Sequence, residues 1–196
     1  MAEQQDEFGG VAASARQFEA TKREAATLVA GMSDAQLNWK PAAASWSVGQ
    51  CLMHLARGTD AVLPAIDRAI SKAKEKGWPR PAGPVRFGWM ARMMVGSMEP
   101  PPKRNMKTWA MFEPPTEVLR RDDVLQTLNA ARDRILERMR QAETLDYKRA
   151  IVVSPVSWMI RIPLGGYLAF LAAHDRRHLY QAQQVKTAPG FGSEGR

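Results

Sequence analysis

Apolar residues recur at three- and four-residue steps through four or five stretches of this chain, and no stretch shows the convincing apolar–polar alternation of a strand. Each such stretch makes a helix with one apolar stripe, and the stripes can leave water only by facing one another, so the chain reads as all-α and as a bundle. The first helix reads from about Val11 to Ala30, with Val11, Ala15, Phe18, Ala25 and Val29 on its stripe and Gly31 as its stop. Ser33 and Asp34 then open a short turn through Leu37 and Trp39. The best-defined helix start follows. Ser47 is placed as N-cap and Gln50 as its N3 partner in a capping box, with Trp46 and Cys51 as the two halves of a hydrophobic staple. This helix carries Cys51, Leu55, Gly58, Val62, Ile66 and Ile70 toward a core, and Pro64 is expected to kink it or break it in two.

The lysine-rich end at Lys72–Lys76 suits the negative end of the helix dipole, and Gly77, Pro79, Pro81 and Pro84 then interrupt the chain. A shorter helix is expected from about Val85 to Met98, with Trp89, Met90, Met93, Met94 and Met98 as an adaptable apolar surface for core or dimer packing. The connection from Pro100 to Pro115 is long and proline-rich, a length that suits either an ordered segment covering a site or a disordered one. Asp122 is read as N-cap of the next helix, which presents Leu125, Leu128, Ala131, Ile135, Met139 and Ala142 on one side. After an irregular stretch with Pro155 and Pro163, the last helix starts near Gly165, with Tyr167, Leu171, His174, His178, Gln181 and Val185 inward. The chain therefore reads as one domain over 1–196, with a core of about 11–187 and a flexible glycine-rich tail from Ala188 to Arg196.

Charge and composition narrow the partners. The net charge of +8 invites an anionic partner, yet most basic residues alternate with acids, as in Arg132-Asp133-Arg134 and Glu137-Arg138, which reads as a solvated helix face. The densest basic run, Lys103 to Lys107, sits in the proline-rich loop without any recognisable nucleic-acid module, so no nucleic-acid partner is expected. The most apolar region, Ile151 to Ala173, is interrupted by Pro155, Arg161, Pro163 and Gly165-Gly166, and no transmembrane segment is read there. Met1 to Phe8 is acidic and polar, without a secretory pattern, and the single cysteine, Cys51, forms no internal bridge. A cytoplasmic protein is the expectation.

The chemistry gathers in the three histidines. His174 and His178 stand four residues apart, which stacks them on one helix face about 5 to 6 Å apart at Cβ, close enough to grip one metal ion. His54 lies beside the inward stripe of the second long helix, near one end of the bundle. Three imidazoles from two helices would leave coordination positions open for water or substrate, and such ligands suit zinc, nickel, copper or iron. Gln181 and Gln50 stand one turn from His178 and His54 and are candidate hydrogen-bond partners for the rings, or else packing and capping groups. Cys51 could be a fourth ligand but reads better as a small core residue. Asp175, about 100° around the helix from His174, reads as a surface charge. Arg177 and Tyr180 are candidates to meet an anionic substrate at the pocket rim. No inward Glu or Asp beside a histidine offers itself as a general acid or base.

Two pieces, W-S-V-G-Q-C-L-M-H-L from Trp46 to Leu55 and L-G-G-Y-L-A-F-L-A-A-H-D-R-R-H-L-Y-Q-A from Leu164 to Ala182, resemble the two signature helices of the DinB/YfiT-like family. The resemblance implies an up-down-down-up four-helix bundle over about Val11 to Val185, here with a short extra helix. It also implies a divalent metal, zinc or nickel, on His54, His174 and His178, and a homodimer. Some members transfer low-molecular-weight thiols such as bacillithiol or mycothiol, and one branch isomerises maleylpyruvate. A metal-dependent thiol transferase or hydrolase acting on a small molecule is thus the first expectation. A non-catalytic metal-binding or stress-response bundle is the second.

Overall fold

A computed structural model describes residues 10–83, 88–102 and 108–192. The acidic N-terminal run, the expected helix start at Val85, the basic run from Lys103 to Lys107 and the last four residues of the tail lie outside these. Helix α1 spans Gly10–Val29 and ends where Gly31 takes a φ of +73°, a conformation that a side chain would strain. The short turn expected next is a helix, α2 (Asp34–Asn38), closed by a reciprocal Ser33–Gln36 capping box. Helix α3 (Val48–Glu75) starts at the Ser47–Gln50 box and runs through Pro64 as one 28-residue helix. Pro64 lies on the exposed side, where water can serve the carbonyl that loses its N–H partner, so the helix does not break there.

Helix α4 (Trp89–Met98) buries Ala91, Val95 and Met98 and packs Met94 partly buried against the core, whereas Trp89, Met90 and Met93 are exposed, so the expected apolar surface is split between core and solvent. Gly166 explains the choice of face: a Cβ there would come within 2.7 Å of the Ala91 Cβ, and its absence lets α4 lie close on the last helix. Helix α5 (Arg121–Gln141) has Arg120, not Asp122, at its N-cap. Asp122 and Asp123 instead occupy its first turn, where negative charge suits the dipole. The irregular stretch that follows contains an antiparallel pair, β1 (Ile151–Val153) and β2 (Arg161–Pro163), with Val152 opposite Ile162. Strands of three residues are too short to show an alternation in sequence. Helix α6 (Leu164–Lys186) closes the bundle, and Phe191 folds back edge-on against Trp39, with ring centroids 5.6 Å apart. No helix among the described residues is long and apolar enough to cross a membrane.

Two large apolar cores fill the bundle, and a small third cluster of Val95, Met98, Ala169 and Ala173 joins α4 to α6. One large core holds Phe18, Val62, Ile66, Ile135, Tyr167 and Leu171. The other holds Ala25, Leu52, Leu55, Leu128, Leu179 and Ala182. Passing from the first core to the second, residue numbers rise along α1 and α6 and fall along α3 and α5. That is the up-down-down-up topology.

Between the cores lies a polar layer with one side chain from each long helix: Thr21, Thr59, Arg132 and Asp175. Arg132 and Asp175 are 1% and 2% exposed, which overturns their reading as a solvated face and a surface charge. Arg132 Nη2 donates to Asp175 Oδ1 at 2.8 Å, Arg132 Nη1 donates to the Thr59 hydroxyl, and the Thr21 hydroxyl donates to Asp175 Oδ2 at 2.8 Å. Helices α1, α3 and α4 all pack on α6, so a residue 100° from the inward stripe still meets protein. Burial pushes the Asp175 carboxyl up, opposed by the Arg132 charge and the Thr21 hydrogen bond. Removing either partner strands a buried charge, so Arg132→Ala or Asp175→Ala should lower the unfolding free energy in urea by about 3–5 kcal/mol. The paired replacement Arg132→Met/Asp175→Leu should lose much less than the two single losses combined.

Candidate metal centre

The site begins with a helix start. Because the Ser47–Gln50 box fixes the first turn of α3, His54 falls within its first two turns and faces α6. Trp46, just before the cap, reaches over the cluster: its ring stacks on His178 at 5.6 Å between centroids and lies tilted against His54 at 4.8 Å. On the far side Phe170 stacks on His174 at 6.1 Å. His54 and His178 are buried and His174 nearly so.

The three rings turn the same nitrogen inward. His54 Nε2 and His178 Nε2 each lie 3.1 Å from His174 Nε2, and the three potential ligand atoms all lie within 4.8 Å of one another. Nitrogens bound about 2.0–2.1 Å from one ion are separated by about 2.9 Å at a right angle and about 3.4 Å at the tetrahedral angle. The observed 3.1 Å falls between these.

The outer nitrogens determine what the inner ones can be. His54 Nδ1 donates to the Phe112 carbonyl at 2.7 Å, since a carbonyl only accepts, which leaves Nε2 with a bare lone pair. His178 Nδ1 donates to Gln181 Oε1 at 2.9 Å with the same result. His174 Nε2 faces both lone pairs and carries at most one proton, so it satisfies at most one of them. A cation at the centre satisfies all three. The donor set therefore fits a divalent metal, and the group can hold one.

Burial keeps the rings neutral, as metal binding requires. It lowers His178 to about 3, helped by nearby His54 and opposed by the Gln181 hydrogen bond. It takes His174 well below the usual range, with the two neighbouring histidines adding to the effect. It lowers His54 as well, opposed by the Phe112 carbonyl.

The segment from Ala110 to Pro115 closes the site. The 3-10 turn Ala110–Phe112 carries the Phe112 carbonyl, while Arg57 Nη1 donates to Glu113 O at 2.7 Å and Gln50 Nε2 to Pro115 O at 3.0 Å. Gln50 thus holds this segment rather than a histidine ring, and Gln181 is the ring partner. Cys51 belongs to the second apolar core, burial pushes its thiol up, and it does not join the cluster. Sequence reasoning missed Trp46 and Phe112. Trp46 was visible as the residue preceding a capping box, but Phe112 acts through its backbone and left no side-chain signal.

The cluster lines a cleft of about 1110 Å³. Arg177 and Tyr180 line it too, and Arg177 Nη1 donates to Ser97 O at 3.2 Å. Among the described residues the carboxylates that line it are the exposed Glu113 and the buried Asp175, the latter already bound to Arg132 and Thr21.

The lowered histidines make metal-free protein acid-sensitive. Between about pH 6.5 and about 3 the unfolded chain takes up a proton at His178 that the folded chain refuses. Stability is therefore complete above this window and falls as pH drops through it. Chelator-treated protein should show a urea midpoint that declines from pH 7 to pH 5, and His178→Gln should flatten that decline.

The family model of the DinB superfamily matches residues 17–182. The uncharacterized protein YuaE of Bacillus subtilis (strain 168) is 24% identical over 159 residues, covering 80% of this chain and 86% of that protein. No solved structure matches the chain. The family match runs from within α1 nearly to the end of α6 and takes in all three histidines: the chain belongs to the DinB superfamily.

Proposed function

We propose that this protein binds one divalent cation, zinc or nickel, through Nε2 of His54, His174 and His178, and acts as a metal-dependent enzyme on a small molecule held in the cleft. The observation that carries the reading is the pair of fixed tautomers: Phe112 and Gln181 turn two lone pairs onto a third ring that can satisfy only one of them. The ion supplies a Lewis acid that lowers the pKa of a thiol or water enough to give a nucleophile near neutral pH. Trp46 and Phe170 wall the cluster with aromatic surface, which limits water around it. Arg177, beside His178, supplies positive charge toward an anionic substrate.

The lining carboxylates favour thiol transfer over hydrolysis. Asp175 is tied to Arg132, and Glu113 is exposed, so neither is placed as a buried general base. A thiol activated by the cation needs none. The same feature supports the second reading, a non-catalytic metal-binding or stress-response protein. Exposed Trp89, Met90 and Met93 on α4 support a homodimer, and the single cysteine supports a cytoplasmic location.

Protein purified without a chelating tag should carry about one metal per chain by elemental analysis, and His54→Ala and His178→Ala should each lose it. Metal-free wild type, or variants that keep the metal, would remove both readings. Gln181→Leu should retain the site but weaken it about 10- to 100-fold in a competition with a chromophoric chelator. If metal is present, turnover of a thiol with a panel of electrophiles separates the enzyme from the passive protein.

A further inference from the structure

The cleft continues past the three imidazoles. On α3, His54, Gly58 and Val62 follow one another at four-residue steps along one face, and on the antiparallel α6, His174, Phe170 and Tyr167 run back beside them. All six line the cleft. From His54 to Val62 the helix rises on the order of 12 Å.

Gly58 is the unusual residue of this wall. Glycine is a poor choice inside a helix unless the backbone needs a positive φ or a neighbour needs the space. Neither applies here. Gly58 is not among the residues of positive φ, and a Cβ built on it would meet nothing within 4 Å. What its missing side chain leaves open is the cleft itself, one turn from His54.

The two directions out of the cluster differ in chemistry. Beyond Gly58 the walls are mainly apolar, with Val62, Met94, Ile162, Tyr167 and Phe170; the hydroxyls there, on Thr59 and Ser154, bond to Arg132 and to the Val156 N–H, and the charges that reach this side, Arg132 and Asp175, are bound to each other. The Tyr167 phenol is pushed up to about 12 by burial and stays neutral. In the other direction the lining turns polar, with Lys40, Ser45, Gln181 and Gln184. Methionines on the apolar side adapt to varied shapes.

We infer that the substrate is an amphiphile whose apolar portion, on the order of 12 Å long, lies along Gly58 between α3 and α6, and that Gly58 is the specificity-determining residue for that portion. Its reactive group then sits at the histidines, a placement that rests on the metal reading above.

The test is a fluorescence titration with 8-anilinonaphthalene-1-sulfonate, an apolar ring system bearing one anion, on zinc-loaded and on chelator-treated protein. Wild type should bind it saturably in both forms. Gly58→Phe and Gly58→Leu fill the arm with side chains that the helix tolerates better than glycine, and each should weaken binding by at least about tenfold while the zinc content stays as in wild type and thermal unfolding is no lower. Trp158→Ser, on the exposed hairpin tip, should bind as wild type does. No saturable binding by wild type, wild-type affinity in both Gly58 variants, or an equal loss in Trp158→Ser would overturn the inference. Protein that holds no zinc yet loses the probe through Gly58→Phe would remove the metal reading and leave the apolar arm standing. Zinc binding with an affinity for the probe that ignores position 58 would do the reverse.

Discussion

The buried Arg132–Asp175 pair sets the geometry of everything around it. A guanidinium and a carboxylate out of water tolerate little displacement, because each lost hydrogen bond leaves charge uncompensated in a medium of low dielectric. Thr21 and Thr59 bring the remaining two long helices into the same network. Four helices are thereby held at one height and one rotation. Asp175 follows His174 in sequence, so the contact that fixes Asp175 also fixes the rotation of α6 and the direction in which His174 points. An apolar layer of equal volume could pack as tightly, but it would tolerate a small slide or turn of α6 that this one does not.

The topology explains why the cluster is covered. Helices α3 and α5 run in the same direction, so the chain between them must travel back along the whole bundle. Its described parts lie over the face between α3 and α6, with α4 on α6 and the Ala110–Phe112 turn on α3. A connection of that kind is a burden in a minimal bundle. Here it brings the backbone carbonyl that orients His54, along with one wall of the cleft.

The long helices, the Ser47 cap and the three histidines were legible in the sequence because each depends on local spacing or on a scarce residue type. Asp175 and Arg132 were not. Their neighbours in sequence are charged, and only the packing of several helices around α6 turns those positions away from water. The three-residue strands fell below any periodic signal, and the rotation of α4 depended on a glycine in another helix. The role of Gln50 shows a further limit. Its capping function was readable from four residues, whereas its bond to the Pro115 carbonyl joins positions 65 residues apart.

The hydrogen bond from His54 to Phe112 has a thermodynamic corollary. The carbonyl favours the tautomer that leaves Nε2 free to coordinate, and it is in place while the crossover segment is docked. Docking and coordination are then linked, and docking favours coordination by the same free energy by which coordination favours docking. A cation bound at the histidines would tighten the crossover from a distance. A molecule entering the cleft and pressing on that segment would, in turn, be felt at the cation.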